Sequence, residues 1–206
     1  MVQEQGKQGI RVYSLDELLS VCDTQEDIQH LTELLHSFSC DRDKDIENFL
    51  HNRAVEFERL NKSRTYLLCD DDIFRKEGQL VILGYFSVAL KVLDFPENIS
   101  NRTRKMLDGL SAKLRGEVIR SVPCYLIGQL GKNSAVTQGY SIKGSDFIDH
   151  ALFVIQSAQK FVGGRLVLIE CHDEPKLIQF YTDNHFERFG EFPFGDIPMV
   201  QMIRTI

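Results

Sequence analysis

Apolar residues along this chain fall into stretches with two different periods, and the alternation between them sets the expected architecture. Leu15, Leu18 and Leu19, then Ile28, Leu31, Leu34 and Leu35, recur at helical spacing. Ser14 ahead of Asp16 and Glu17 marks a helix start, so two short amphipathic helices are expected, broken near residues 22–24. Residues 45–60 (DIENFLHNRAVEFERL) place Ile46, Phe49, Leu50, Ala54, Val55 and Phe57 on one stripe and predict one helix. Two β-rich runs, 64–69 and 80–95, flank an acidic turn at 70–78 and predict an antiparallel hairpin. A polar, basic segment at 98–120 predicts a helix with a solvated face.

The second half reads differently. Residues 123–131 (PCYLIGQLG) are almost continuously apolar, as a strand buried on both faces should be. A polar, glycine-containing loop follows at 132–144. Residues 145–162 then carry Phe147, Ile148, Ala151, Leu152, Ile155, Ala158 and Phe161 at helical period, and Gly163–Gly164 supply the stop. Residues 165–171 (RLVLIEC) predict a second buried strand. Strand, loop, helix and strand make a βαβ unit, so a parallel pair with a right-handed crossover is expected. A short helix at 173–184 and a last strand at 199–204 complete the pattern. The expected class is α/β, a mixed twisted sheet flanked by helices, with a helical extension over residues 1–37 ahead of a main domain at 38–206.

Composition narrows the function classes. The 206 residues carry 24 Lys and Arg against 30 Asp and Glu, a net charge of −6, and 43% are hydrophobic. That supplies one real core and excludes wholesale disorder. No apolar run approaches the ~18 residues a membrane span needs. The N-terminal residues show no apolar segment of a secretory signal, so a cytoplasmic location is expected and the sequons at Asn61, Asn98 and Asn101 are taken as chance. Five cysteines, at 22, 40, 69, 124 and 171, include no C-x-x-C pair, so reduced thiols and no metal centre are expected. Within an acidic chain, residues 98–120 hold Arg102, Arg104, Lys105, Lys113, Arg115 and Arg120 against Asp108 and Glu117. The segment is either a solvated helix face or a landing site for a phosphorylated substrate.

The βαβ unit carries the candidate chemistry. A loop opening a helix after a buried strand presents backbone N–H groups and the positive end of the helix to an anion. Ser145 at the expected N-cap and Asp146 in the first turn place the start at Gly144–Ser145. Neither a Walker lysine motif nor G-x-G-x-x-G is present, which disfavours nucleotide folds.

The run Phe180-Tyr181-Thr182-Asp183-Asn184-His185-Phe186 then resembles the Phe-Tyr-x-x-Asn-Gly-Phe motif of the GNAT superfamily of acetyl-CoA-dependent N-acetyltransferases. The order of elements from about residue 38 to 204 is similar to that family's plan. The segments FSC…IENFLHNRAVEF and YLIGQLG look like the branch that includes acetyltransferase toxins of toxin–antitoxin pairs.

The resemblance implies acetyl-CoA as co-substrate and a ternary complex in which an amine attacks the thioester directly. It implies a cofactor cleft between Gln129, Leu130 and Gly131 on one side and Gln138, Gly139, Lys143, Gly144 and Ser145 on the other. Tyr181 becomes the general acid for the departing thiolate, a phenol being protonated at neutral pH. Glu170, with His172 and Asp173 as alternatives, is placed to take the amine proton.

The chain departs from the family pattern in three places. Its pyrophosphate loop prefers Gln/Arg-x-x-Gly-x-Gly/Ala, and those positions are Gly139, Ile142 and Gly144 here. Only the last glycine is in register, so phosphate binding falls to other amides or to Lys143. The Asn expected seven residues before Tyr181 is Glu174. His185 replaces the motif glycine, so the left-handed conformation is expected at Asn184. The acceptor is an amine on a small molecule or protein, or aminoacyl-tRNA bound through residues 98–120. A non-catalytic CoA-binding or interaction module is the alternative from another class, and a homodimer is left open.

Overall fold

The computed structural model describes residues 9–136, 140, 142–194 and 197–206, without the side chains of Pro193 and Phe194. Seven strands form one mixed sheet and two more form a small hairpin. In chain order the elements are β1 (Ile10–Ser14), α1 (Leu15–Ser20), α2 (Gln25–His36), α3 (Lys44–Asn52), α4 (Ala54–Arg59), β2 (Arg64–Asp70), α5 (Asp71–Glu77) and β3 (Ile82–Asp94). Then come α6 (Asn101–Asp108), β4 (Lys113–Leu114), β5 (Glu117–Val118), β6 (Ser121–Lys132), α7 (Gly144–Val162), β7 (Leu166–His172), α8 (Pro175–Asp183), β8 (Glu187–Phe194) and β9 (Ile197–Thr205). The large sheet has the order β1-β2-β3-β6-β7-β9-β8, with β6 and β7 parallel and β7, β9 and β8 antiparallel in turn. The chain divides into two compact units, residues 1–88 with 129–147, and residues 89–128 with 148–206.

In the first unit, β1 pairs antiparallel with β2, from Ile10 opposite Asp70 to Ser14 opposite Tyr66. This strand was not expected: it is five residues long, half-buried, and interrupted by Arg11. The two N-terminal helices form as expected. Thr24 caps α2 in a reciprocal box with Asp27, each side chain accepting from the other's backbone amide. Leu15, Leu31 and Leu35 bury their side chains with Phe38, Phe49, Leu50, Leu67 and Tyr85. Tyr85 meets Phe38 edge-on at 5.1 Å and lies parallel to Phe49, and its hydroxyl donates to the Ile46 carbonyl at 2.5 Å.

The single helix expected over 45–60 is two, α3 and α4, because Arg53 leaves helical geometry (φ −125°, ψ −29°) between them. The acidic turn at 70–78 is itself a helix, α5. Asp70 caps it by accepting from Ile73 N, and Gly78 closes it at φ 71°. The hairpin of β2 and β3 stands as predicted.

The second unit buries Leu93, Leu107, Val122, Cys124, Leu166, Leu168 and Ile203 together. Here the basic segment corrects the sequence reading. Its helix covers only Asn101–Asp108, and the rest is the β4–β5 hairpin. The turn of that hairpin uses positive φ at Arg115 (53°) and Gly116 (91°), the combination tight two-residue hairpins require. The parallel pair of β6 and β7 is as expected, with Tyr125, Leu126 and Ile127 opposite Val167, Leu168 and Ile169. Strand β6 is less buried than its apolar sequence predicts, since Pro123 and Gly128 are exposed. Helix α7 starts at Gly144, so Ser145 lies inside its first turn and is not the N-cap.

One segment of the first unit has a built-in pH dependence. Glu47 accepts from Lys44 Nζ and from the Cys40 amide, both at 2.8 Å, and the Lys44 contact leads in lowering its pKa from 4.5 to about 2. Stability from this carboxylate is therefore present above about pH 4.5 and lost as pH falls toward 2. Glu47→Gln is expected to remove that part of the acid slope, measured as the denaturation midpoint from pH 5 to 2.5. An unaltered slope would refute the assignment.

Candidate active site

The proposed cofactor residues of the first unit lie on two neighbouring pieces of chain. Gln129, Leu130 and Gly131 are the end of β6, and Lys143, Gly144 and Ser145 open α7. Gln138 and Gly139 lie outside the described residues. Gly131 is pressed between Ile46 and Phe38: a Cβ there would stand 2.5 Å from Ile46 Cγ2 and 3.2 Å from Phe38 Cζ. Gly84 on β3 is as tight, its Cβ position 2.4 Å from the Phe147 ring and 2.5 Å from the Gly131 carbonyl oxygen. Gln129 approaches the Tyr85 hydroxyl with its Oε1 at 3.5 Å. Bare backbone at Gly84 and Gly131 lets β3, β6 and the first turn of α7 pack closely at this end of the unit.

Asn133 follows directly and was not singled out by sequence. It is 1% exposed. Its Nδ2 donates to Ile82 O at 2.8 Å, its Oδ1 accepts from Ser39 N at 3.1 Å and Ala135 N at 3.0 Å, and its own N–H donates to Leu83 O at 2.9 Å. Ser134 N adds a bond to Ser39 O at 2.8 Å. The turn after β6 is thus tied to both β3 and the chain before α3.

The described part of the loop before α7 is held by side chains. Lys132 Nζ donates to Ile142 O at 3.0 Å, and Lys143 N donates to Asp146 Oδ2 at 2.7 Å. Ile142 is buried and Lys143 exposed. Tyr140 donates its hydroxyl to the Asp70 carboxylate. Burial raises the Asp70 pKa, but the bonds from Tyr140 and from the Ile73 and Asp72 amides outweigh it and leave the carboxyl below its ordinary value. The same contact, with burial added, pushes Tyr140 up to about 12, so it stays a donor at neutral pH.

The second unit holds the two proposed catalytic residues. Tyr181 on α8 is 7% exposed and packs on Phe180 (5.1 Å) and edge-on to Phe186 (6.0 Å). The turn that fixes it differs from expectation in one residue: Asn184 is ordinary (φ −93°), and His185 takes the left-handed conformation at φ 65°. Asn184 instead uses its side chain, donating Nδ2 to Phe180 O at 2.7 Å. Glu170 on β7 has a partner on each carboxylate oxygen. Lys91 Nζ donates to its Oε2 at 2.5 Å and Gln201 Nε2 to its Oε1 at 3.1 Å. Asp173, an alternative base, is held by both guanidinium nitrogens of Arg188.

The basic segment is also rearranged. Arg104 is 7% exposed, donates to Ile119 O at 2.6 Å and sits 5.8 Å over the Phe95 ring. It builds the fold and is not available to a ligand. Arg102, Lys105, Lys113, Arg115 and Arg120 are exposed. Among the described residues no helix is long and apolar enough to cross a membrane.

No family model matches this sequence, and no curated protein does. Solved structures do match. A KacT variant superposes with a TM-score of 0.64 at 16% identity over 94% of each chain. AtaT complexed with acetyl-methionyl-tRNAfMet gives 0.61 at 18% over 93% of each. AtaTR bound with acetyl-CoA gives 0.63 at 19% over 97% of this chain and 95% of that one. The chain therefore shares the fold of these structures, the GNAT-like class expected from its sequence.

Proposed function

We propose that this chain is an acetyl-CoA-dependent N-acetyltransferase whose acceptor is the amino group of an aminoacyl-tRNA. The observation that carries the reading is the strand–loop–helix unit of β6 and α7, set in a fold whose solved relatives include one with acetyl-CoA and one with acetyl-methionyl-tRNA. The start of α7, with its first-turn amides and positive helix end, suits the anionic part of such a donor.

In the proposed step the neutral amine nitrogen attacks the thioester carbon. The carbonyl oxygen gains charge and is met by backbone N–H groups at Leu130 and Gly131, beyond the last residues that β6 pairs with β7. The C–S bond then breaks, the thiolate takes a proton from Tyr181, and the amine loses one. Lys91 and Gln201 donate one bond to each oxygen of Glu170, and the remaining lone pairs of this carboxylate accept the amine proton.

The test is transfer of radiolabelled acetyl from acetyl-CoA to purified aminoacyl-tRNA, with uncharged tRNA and small amines as controls. Label on aminoacyl-tRNA alone supports the reading, and label on none refutes it. Changing Arg102, Lys105 and Lys113 together to Glu is expected to weaken tRNA association and reduce its salt slope, each lost phosphate contact removing about 0.9 from that slope. Acetylation of any small amine should persist. Unchanged tRNA binding would make these cations a solvated surface. Arg104 is left out of this set because its loss would disturb folding.

A further inference from the structure

We infer that the cavity between α6 and β8 reads a base of the RNA substrate. It takes one unstacked nucleobase with an exocyclic amino group, from a strand whose phosphates meet the exposed cations of α6. The inference rests on the tRNA reading above and adds where that substrate is read.

The cavity measures about 270 Å³. That is below the roughly 300–1,000 Å³ of sites for drug-sized ligands, so it suits a single ring system and not a whole nucleotide. Ile99, Met106, Phe189 and Ile203 supply its apolar wall, and Asn98 and Glu187 supply polar groups. All belong to the second unit. Two features of β8 build it. Glu187 stands opposite Ile203 in the β8–β9 register, so both side chains share one face of the sheet. The register then shifts between Arg188 and Gly190, a bulge that sets Phe189 out of step with β9. The Phe189 ring is half-buried against the cluster of Leu93, Leu107 and Ile203, and it meets Phe95 edge-on at 6.2 Å. On the other side, Ser100 fixes the start of α6 by accepting from Thr103 N at 3.1 Å.

Charge decides which part of an RNA enters. Glu187 and Asn98 are exposed, and among the described residues neither side chain has a partner. Arg188, also in the wall, gives its guanidinium to Asp173 and Glu191 and so does not neutralise Glu187. A carboxylate only accepts hydrogen bonds. It therefore repels phosphate, favours the amino groups of adenine and cytosine, and opposes the O4 of uracil. Outside the cavity the sign reverses. Thr103 and Met106 line it three residues apart on α6, and Arg102 and Lys105 form the neighbouring stripe, both exposed. Cations outside and a carboxylate inside place the phosphates along the helix and the base in the cavity. An acidic peptide would suit the helix and be repelled at the cavity.

Binding of labelled oligoribonucleotides tests this. Tetranucleotides of adenosine, cytidine and uridine, and an abasic strand with the same phosphates, are titrated by fluorescence anisotropy at one low salt concentration. The adenosine and cytidine strands are expected to bind about tenfold tighter than the abasic one and about fivefold tighter than the uridine one. Glu187→Ala should remove most of the preference over uridine. Changing Arg102 and Lys105 to Glu should weaken all four strands alike, because phosphate contacts carry no sequence information. Equal affinity for the four strands, or a preference over uridine that Glu187→Ala leaves intact, overturns the inference. Absence of binding to any of them overturns it too and leaves the cavity to a protein side chain. The acetyl-transfer assay decides the tRNA reading separately. Label on aminoacyl-tRNA without base preference keeps that reading and rejects this site, whereas base preference without label keeps the site and rejects that reading.

Discussion

Asn133→Ala is expected to lower folding stability by about 3 kcal/mol, a large effect for one polar side chain. The residue is 1% exposed, and its side chain donates to Ile82 O and accepts from Ser39 N and Ala135 N. Removing it strands the Ile82 carbonyl, which is buried, and the Ser39 amide, which is half-buried, at about 1–3 kcal/mol each. The Ala135 amide also loses its partner, but Ala135 is exposed and water replaces the bond. A cavity the size of the lost amide adds to the total. Chemical denaturation of the variant should show the loss in midpoint with the slope unchanged. A change below about 1 kcal/mol would mean that water enters and satisfies the same groups. Asn133 also joins the end of β6 to Ser39, so the variant should lose acetyl-CoA affinity along with stability if the end of β6 forms part of the donor site.

The sequence pattern found elements that carry a clear apolar stripe or run and whose partners are near in the chain. The helices at α2, α7 and α8, the hairpin of β2 and β3, and the parallel pair of β6 and β7 are of this kind. Strand β1 escaped because its pairing with β2 comes from more than fifty residues away and its five residues carry no clean alternation. The helix at 98–120 was overextended for a different reason. Its cations and leucines suit a helix, and the Arg115-Gly116 turn signal is only two residues wide.

Arg104 shows a limit of charge counting. A guanidinium bonded to Ile119 O and lying over Phe95 belongs to the fold, while its neighbours Arg102 and Lys105 belong to the surface. Among the site residues, the backbone positions on β6 and at the start of α7 were legible from the strand–loop–helix pattern. The ties that shape them were not. Asn133 reaches Ser39 across 94 positions, and Asp70 holds Tyr140 across 70, so neither pair leaves a local signature. The left-handed residue of the last motif was placed one position early for a similar reason. Asn184 tolerates that conformation best by itself, yet here its side chain caps Phe180 O and its carbonyl accepts from Arg204, which leaves the turn to His185.

Tyr181→Phe is expected to reduce turnover by at least about tenfold while leaving the fold and acetyl-CoA binding nearly as they were. The ring packs on Phe180 at 5.1 Å and edge-on to Phe186 at 6.0 Å, and the Tyr181 carbonyl accepts from Phe186 N at 3.0 Å and Asn184 N at 3.1 Å in the turn that follows. A phenylalanine ring satisfies the same ring packing, so the substitution addresses the O–H alone. In the proposed mechanism that O–H gives its proton to sulfur as the C–S bond breaks. The interaction matures only in the transition state, so its loss should appear in kcat and leave KM little altered. The measurement is kcat at saturating acetyl-CoA with the aminoacyl-tRNA found most active, after a pre-steady-state burst has shown whether chemistry or product release limits the rate. Unchanged kcat with chemistry limiting would remove Tyr181 from the reaction. The thiolate would then be protonated by water, or by the ammonium formed in the attack itself, and the close match of residues 180–186 to the family motif would reflect packing of the turn after α8 alone.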